Sequence, residues 1–345
     1  MDGIDAAVVE TDGRDQIRYG PVWSLTYPPE TQTLLRDARG WMPQPDAEIA
    51  VIEWHGPRLR QKFAPRVDLI GFHGQTVAHD PRGGRTRQLG DGQALARAWG
   101  VPVVWDFRSA DMAAGGEGAP LAPFFHFHAL RAAGLRGRVA VVNIGGVGNV
   151  TWADLDAERA EVPGAILGFD TGPGNALLDD MLRARGIADF DRDGMYSIKG
   201  QVDRDLVDTA LGDEYFNRPA PKSLDRDAFA GIGAGLDDLA APDAAATLVE
   251  ITAASIARAE TLFPEPVSQW LITGGGRRNP TIMARLKALI AAPVIPIDQI
   301  GLNGDMLEAQ AFAWLAVRNR AGLPLSAPGT TGCRRPVTGG RYSAP

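Results

Sequence analysis

The sequence predicts an α/β architecture in two domains, on three observations. Short apolar runs with strand character alternate with helix-like stretches along the whole chain. Three of those runs, all beyond residue 138, end in glycine-rich turns at residues 143–149, 170–175 and 274–276. The 345 residues, 45% of them hydrophobic, suffice for two cores at about 150 residues per domain.

Residues 6–9 read as a short strand. Residues 67–72 form the next and deliver His73-Gly-Gln-Thr-Val-Ala-His79 at its end. Residues 102–105 are a third, leading into Asp106-Phe-Arg-Ser-Ala-Asp111 and a flexible Ala-Ala-Gly-Gly-Glu-Gly stretch. The basic, glycine-containing segment 131–137 reads as a crossing between domains. Residues 139–143 are a strand, 144–149 its turn, and 150–152 resume extended structure, which is a hairpin signal. An apolar run at 165–167 then enters Gly168-Phe-Asp-Thr-Gly-Pro-Gly-Asn175, and Ala176, Leu177, Leu178, Met181 and Leu182 follow at helical spacing. Here a strand ending in Asp170 turns on glycines and opens a helix with bare N–H groups, a base beside a phosphate cradle. An ordinary chain reversal, with Asp or Asn as a cap, fits the octapeptide taken alone.

Asp243 is expected to cap a long helix carrying Leu248, Ile251, Ile256 and Leu262. Residues 270–273 are a strand ending in three glycines, and Asn279-Pro280 starts the next helix with a cap and a first-turn proline. Residues 305–318 form a further helix with Met306, Ala309, Ala313 and Ala316 on one stripe. On it Glu308 lies three residues past Asp305 and reads as part of a solvated acidic face. The tail from Gly322 reads as loop with one edge strand.

Bulk properties exclude several classes. A net charge of −7 disfavours a general nucleic-acid or membrane-surface binder. One cysteine, Cys333, forbids an internal disulfide. No apolar run approaches a membrane span, and the acids Asp2, Asp5, Glu10 and Asp12 stand where a signal peptide would be basic, so a cytoplasmic protein is expected. His126-x-His128 lacks the further ligands of a zinc site and reads as packing, as does His79. Lys222 suits either a phosphate contact or an ordinary loop. Neither a Walker lysine motif nor a dinucleotide fingerprint is present. Three glycine turns at one sheet edge would still enclose a nucleotide, two gripping phosphates and the third admitting purine and ribose.

The octapeptide, His73-Gly-Gln-Thr, the stretch from Asp106 through Gly-Gly-Glu-Gly-Ala-Pro-Leu121, Asn143-Ile-Gly-Gly-Val-Gly-Asn-Val-Thr151 and Gly274-Gly-Gly-x-x-Asn-Pro280 together resemble the anhydro-N-acetylmuramic acid kinase family. Pro221-Lys-Ser, Glu308-Ala-Gln-Ala-Phe-Ala-Trp-Leu-Ala316 and Thr331-Gly332 extend the resemblance over nearly the whole chain. It implies the sugar kinase/Hsp70/actin fold, which is ribonuclease H-like, with a cleft between its domains. Residues 1–130 plus 320–345 would form the sugar-side domain and 131–319 the nucleotide-side domain.

The implied reaction opens 1,6-anhydro-N-acetylmuramic acid with water and passes the γ-phosphate of ATP to O6, in cell-wall recycling. Asp170 would be the base for water, as its strand-end carboxylate also suggests, with Glu308 a second acid near the substrate. ATP would meet Asp2, Gly3, Asp5, Asn143, Gly145, Gly146, Thr171, Gly172, Gly174, Asn175, Gly274, Gly275 and Gly276. Mg²⁺ would arrive with ATP, without a protein ligand cluster. His73, Gln75, Thr76, Arg108 and Asp111 would bind the sugar, Arg108 gripping the lactyl carboxylate in a fork. A homodimer is also implied.

Met1-Asp2-Gly3-Ile4-Asp5 resembles the end of the family's first phosphate motif, Gly-x-Met-Ser-Gly-Thr-Ser-x-Asp-Gly-x-Asp. Its strand and Gly-Thr-Ser turn are not in this sequence, and we read the start codon as assigned too late. Two alternatives stand beside the kinase: a catalytically impaired sugar- or nucleotide-binding protein of the same fold, and an enzyme acting on another small polar substrate.

Overall fold

The computed structural model describes residues 3–62, 66–81, 83–224 and 229–345; Asp2, one of the expected phosphate residues, lies outside them. Two units emerge, Met1–Gly134 with Met306–Pro345, and Leu135–Asp305. The first break falls inside the basic crossing segment. The second falls before Met306 and not after residue 319, which moves a whole helix into the first unit.

In the first unit Gly3–Thr11 (β1) pairs antiparallel with Ile17–Thr26 (β2). Ile70–Phe72 (β3) belongs to a separate sheet, and Gln75–Asp80 (β4) with Arg85–Leu89 (β5) makes a hairpin. Val103–Trp105 (β6) runs parallel to β3 and carries the tail strand Arg341–Ser343 on its other side, the expected edge strand. Strands β2, β4 and β5 carry no clear apolar alternation, because both faces of each are partly exposed, so periodicity did not mark them.

The helix Leu307–Arg320 packs on β1, β3, β6 and the helix Ala122–Ala132, and those contacts assign it to this unit. A Cβ on Gly71 would lie 2.1 Å from the Phe312 carbonyl oxygen, so β3 and the helix touch backbone to backbone. Trp314 is fully buried and its Nε1 donates to the Arg14 carbonyl at 3.0 Å. His126 and His128 are both buried; the His128 ring lies 5.0 Å from that of Trp314, and its Nδ1 lies 2.6 Å from Asp15 Oδ1. Both histidines therefore pack.

The second unit is built on one sheet. Arg138–Ile144 (β7), Val147–Asp154 (β8) and Ile166–Pro173 (β9) form an antiparallel meander, and Gln269–Thr273 (β10) and Val294–Pro296 (β11) return by helical crossovers. The order is β11-β10-β7-β8-β9, with β7, β10 and β11 parallel. Since β9 opposes β8 and β8 opposes β7, the C-terminal ends of β7, β9 and β10 share one edge. This is the ribonuclease H-like arrangement that the resemblance implied.

Ala140, Val142, Val150, Trp152, Phe169, Trp270 and Ile272 supply the sheet's share of the core. Over them lies the helix Ala241–Arg258, apolar nearly all round and buried accordingly. Asp243 does not cap it. The helix starts two residues earlier with Pro242 in its first turn, and the Asp243 carboxylate accepts from Gln201 N at 2.7 Å. Asn279 does cap the helix Pro280–Leu289, accepting from Thr281 N and Ile282 N. Among the described residues no helix is long and apolar enough to cross a membrane.

Gly71→Ala is expected to cost about 1–3 kcal/mol by forcing β3 from the helix, and to lower the thermal midpoint by several degrees. An unchanged midpoint would show that the helix is not seated there. His126 is held neutral by burial, which lowers its pKa from 6.5 to about 4. Its folded pKa lies below its unfolded value, so its contribution is complete above pH 6.5 and is lost as pH falls towards 4. Relative to His126→Gln, the wild type should lose about 1.4 kcal/mol per pH unit across that window; denaturant titrations at pH 7 and pH 5 measure this. A pH-independent difference would mean that the fold leaves proton binding by His126 unchanged.

Candidate active site

In the second unit the three predicted glycine turns meet at one sheet edge. The N–H groups of Gly174 and Ala176 donate to Gly146 O at 3.0 and 3.2 Å, and Asn175 N donates to Gly145 O at 2.7 Å. Asn175 Nδ2 adds a bond to Ile144 O at 3.1 Å. The expected cradle at 172–175 is thus closed: these donors serve the β7–β8 turn and do not face a phosphate. Gly174 is required because a Cβ there would lie 2.3 Å from Gly145 O. Thr171, also expected to bind nucleotide, is 2% exposed, and its hydroxyl has no hydrogen-bond partner among the described residues. Gly172 packs against Ser255 and Phe216, where a Cβ would be about 3 Å from both. The N–H groups of Gly145, Gly146 and Gly275 donate to no backbone group among the described residues. Gly146 and Gly275 are exposed.

Gly274 has φ +76°, and a Cβ would meet Asn143 Oδ1 at 2.3 Å and Ile144 O at 2.7 Å. Only glycine allows the β10 turn to lie this close to the β7 turn. Behind it the buried Arg277 guanidinium donates to Gly274 O at 3.0 Å, Asp305 Oδ1 at 2.8 Å and Asp298 Oδ2 at 2.7 Å. These hydrogen bonds, Asp305 first, raise the pKa of Arg277, and Arg277 lowers both carboxyls. Asp305 therefore belongs to the triple-glycine turn and shares no helix with Glu308.

Asp170 lies within β9, not at its end. Asn149 opposes Asp170 and Gly148 opposes Gly172, so Thr171 is the extra residue of a bulge, a device that re-aims side chains near active sites. Among the bonds of Asp170, its N–H donates to Lys222 O at 2.9 Å, its carbonyl accepts from Tyr215 OH at 2.5 Å, and Oδ2 accepts from Leu224 N at 2.8 Å.

The first unit presents a different set. Arg108 Nε and Nη2 donate to His73 Nε2 at 3.2 and 3.0 Å, and Nη1 donates to Gly118 O at 3.1 Å. With His73 Nδ1 at 2.9 Å from Gly74 O, the proton sits on Nδ1. Burial, then the Arg108 charge, depress its pKa to about 3, so the imidazole is a neutral brace for the guanidinium. The Glu308 carboxyl, in the first turn of its helix, is pushed up mainly by desolvation, with Arg108 opposing and Asp5 reinforcing. Asp5 and Gly3 lie on β1, where Ser24 Oγ donates to Asp5.

A pocket of about 200 Å³ lies nearby, lined by residues including His73, Gln88, Trp105, Asp106 and Ser109. Asp106 has φ +49°, strain of about 1 kcal/mol in a non-glycine residue. Of the expected sugar residues only His73 lines this pocket. Gln75 and Thr76 stand on β4, where Thr76 Oγ1 accepts from Gln88 Nε2 at 3.3 Å. Asp111 does not face a ligand: it is 1% exposed and accepts from Gly118 N, Thr331 Oγ1 and Ser326 Oγ. It orders the glycine stretch after it, which is not a free loop. Gln88, Trp105 and Ser109 were missed because only the tertiary fold brings residues of β5, β6 and the segment after β6 to one pocket. Asp106 had a signal, as the first residue of the long motif.

The second unit is thus a ribonuclease H-like sheet with three glycine turns and the held Asp170 carboxylate close to one edge. A model of the family "Anhydro-N-acetylmuramic acid kinase" matches residues 58–344. Proteins of that name from Cereibacter sphaeroides and Paramagnetospirillum magneticum are 49% and 47% identical, aligned over 100% of this chain and 94% and 97% of their own. Anhydro-N-acetylmuramic acid kinase 1 of Jannaschia sp. is 46% identical over 100% of this chain and 92% of its own. The chain belongs to the anhydro-N-acetylmuramic acid kinase family.

Arg277→Met should free the β10 turn, and amide exchange at Gly274 and Asn279, whose N–H groups donate to Gly304 O and Gly276 O, should accelerate at least about tenfold, a cost of roughly 1.4 kcal/mol in local stability. Unaltered exchange would show that the ion pairs do not hold the turn.

Proposed function

We propose that this chain uses ATP to convert 1,6-anhydro-N-acetylmuramic acid into N-acetylmuramic acid 6-phosphate. The single observation that carries the mechanism is the Asp170 carboxylate, fixed by the Leu224 N–H on a bulged strand beside the glycine turns. Asp170 takes a proton from water as the water oxygen bonds to the anomeric carbon. The bond from that carbon to O6 breaks, and O6 bonds to the γ-phosphorus of ATP as the bond from that phosphorus to the bridging oxygen breaks and ADP leaves. ATP, when bound, supplies the phosphoryl group, and its Mg²⁺ offsets phosphate charge.

The residues fit a polyphosphate. The N–H groups of Gly145, Gly146 and Gly275 serve no backbone acceptor among the described residues, and a Cβ on Gly145 or Gly275 would meet nothing closer than 3.6 Å. Asn143 and Gly274 shape the floor between them. Among the described residues no group of three or more His, Cys, Asp or Glu side chains forms a metal site. In the first unit the braced Arg108 is suited to the lactyl carboxylate, with Glu308 the second acid of the reaction. The Trp105 face and the polar rim of its pocket suit a pyranose ring. A cytoplasmic, homodimeric enzyme goes with this reading, supported by the family resemblance and by the single buried Cys333.

Mass analysis of product formed in ¹⁸O-water should find label at the anomeric oxygen. Binding of ATP and sugar without turnover would instead favour a catalytically impaired binding protein. Asp170→Asn should lower kcat by at least about 10³-fold while both substrates still bind; normal turnover would remove Asp170 from the mechanism. Arg108→Ala should raise KM for the anhydro sugar at least about tenfold, the mark of lost ground-state binding. An unchanged KM would overturn the lactyl assignment.

A further inference from the structure

Lys222 is 2% exposed, the most deeply buried lysine of the chain. Neither sequence reading of it, phosphate contact or surface loop, suits that burial. Its ammonium donates to Tyr215 O at 2.8 Å and Phe216 O at 3.4 Å, and lies 4.4 Å from the Tyr215 ring centroid and 5.8 Å from that of Phe169. Among the described residues no carboxylate pairs with it. Burial first, then the charges of Arg218 and Arg258, lower its pKa to about 8. A desolvated cation kept without a counter-ion is costly, so its contacts should do something an apolar side chain could not.

Those contacts close the segment 215–222 on itself, and that segment holds Asp170. Strand β9 is an edge of the sheet among the described residues, and the N–H of Asp170 donates to Lys222 O. Two residues on, Leu224 N donates to the carboxylate; at the other end, Tyr215 OH donates to the Asp170 carbonyl. The backbone N–H, the carbonyl and the carboxylate of one residue are thus all held by a segment whose ends Lys222 ties together. We infer that Lys222 is a positioning residue for Asp170, acting through the Leu224 N–H that stabilises and aims the carboxylate. The inference rests on the role proposed for Asp170.

A carboxylate that accepts a fixed N–H has a lowered pKa, and losing that donor raises it. Lys222→Met should therefore lower kcat at least about tenfold, change KM for ATP and sugar by less than about threefold, and move the acidic limb of the pH–rate profile up by about one unit. In an Asp170→Asn background the same change should cost nothing further. Lys222→Arg keeps the donors to both carbonyls and should leave the acidic limb in place; it decides the matter if Lys222→Met fails to fold. Any folded Lys222 variant that loses turnover without moving the limb overturns the inference. A large rise in KM for ATP at constant kcat also overturns it, in favour of a phosphate contact. If Asp170→Asn is inactive and Lys222→Met behaves as wild type, only the positioning role falls. If Asp170→Asn is active, the catalytic reading falls first.

Discussion

The N–H groups of Gly174, Asn175 and Ala176 donate to the carbonyls of Gly145 and Gly146, and the second unit depends on that backbone contact. It binds the end of β9 to the hairpin between β7 and β8, so two turns far apart in sequence become one rigid edge. The glycines at this edge are needed because chains approach within a Cβ's reach, as at Gly174 and Gly274. The third turn joins the edge through Arg277, a buried cation between two carboxylates and a carbonyl. Removing one partner of such a network leaves a charge buried and uncompensated, so its members act as a unit.

The same logic of held groups runs through the polar residues that the sequence singled out. Asp170 is gripped at its N–H, carbonyl and carboxylate by one neighbouring segment. Arg108 is braced by an imidazole whose burial keeps it neutral, so the brace does not compete for charge across the physiological pH range. Asp111 accepts three hydrogen bonds and never reaches solvent, yet it shapes the glycine stretch that supplies Gly118 O to Arg108. Preorganisation of this kind lets a site act without rearranging its dipoles as charge develops.

Much of the architecture was legible in the sequence. Strands buried on one or both faces announced themselves, from residues 139–143 to 270–273, and Asn279-Pro280 marked a helix start by its chemistry alone. Motifs named the family, and the fold followed. The weakly buried strands β2, β4 and β5 were not legible, because a strand half-exposed on both faces has no apolar period to read. The helix 307–320 was assigned to the wrong unit, because an amphipathic stripe shows which face is buried but not against what.

By itself, then, the sequence determined the family, the alternation of elements, the three glycine turns and Asp170 as the carboxylate among them. Tertiary structure decided what each polar group faces. It turned the 172–175 cradle inward, buried Asp111 and Lys222, moved Asp305 from Glu308 to Arg277, and made Gln88, Trp105 and Asp106 the walls of a pocket. The physical reason is common to all of these. Composition and spacing specify which donors and acceptors a chain has, whereas their partners are set by elements distant in sequence that only the packed fold brings within 3 Å.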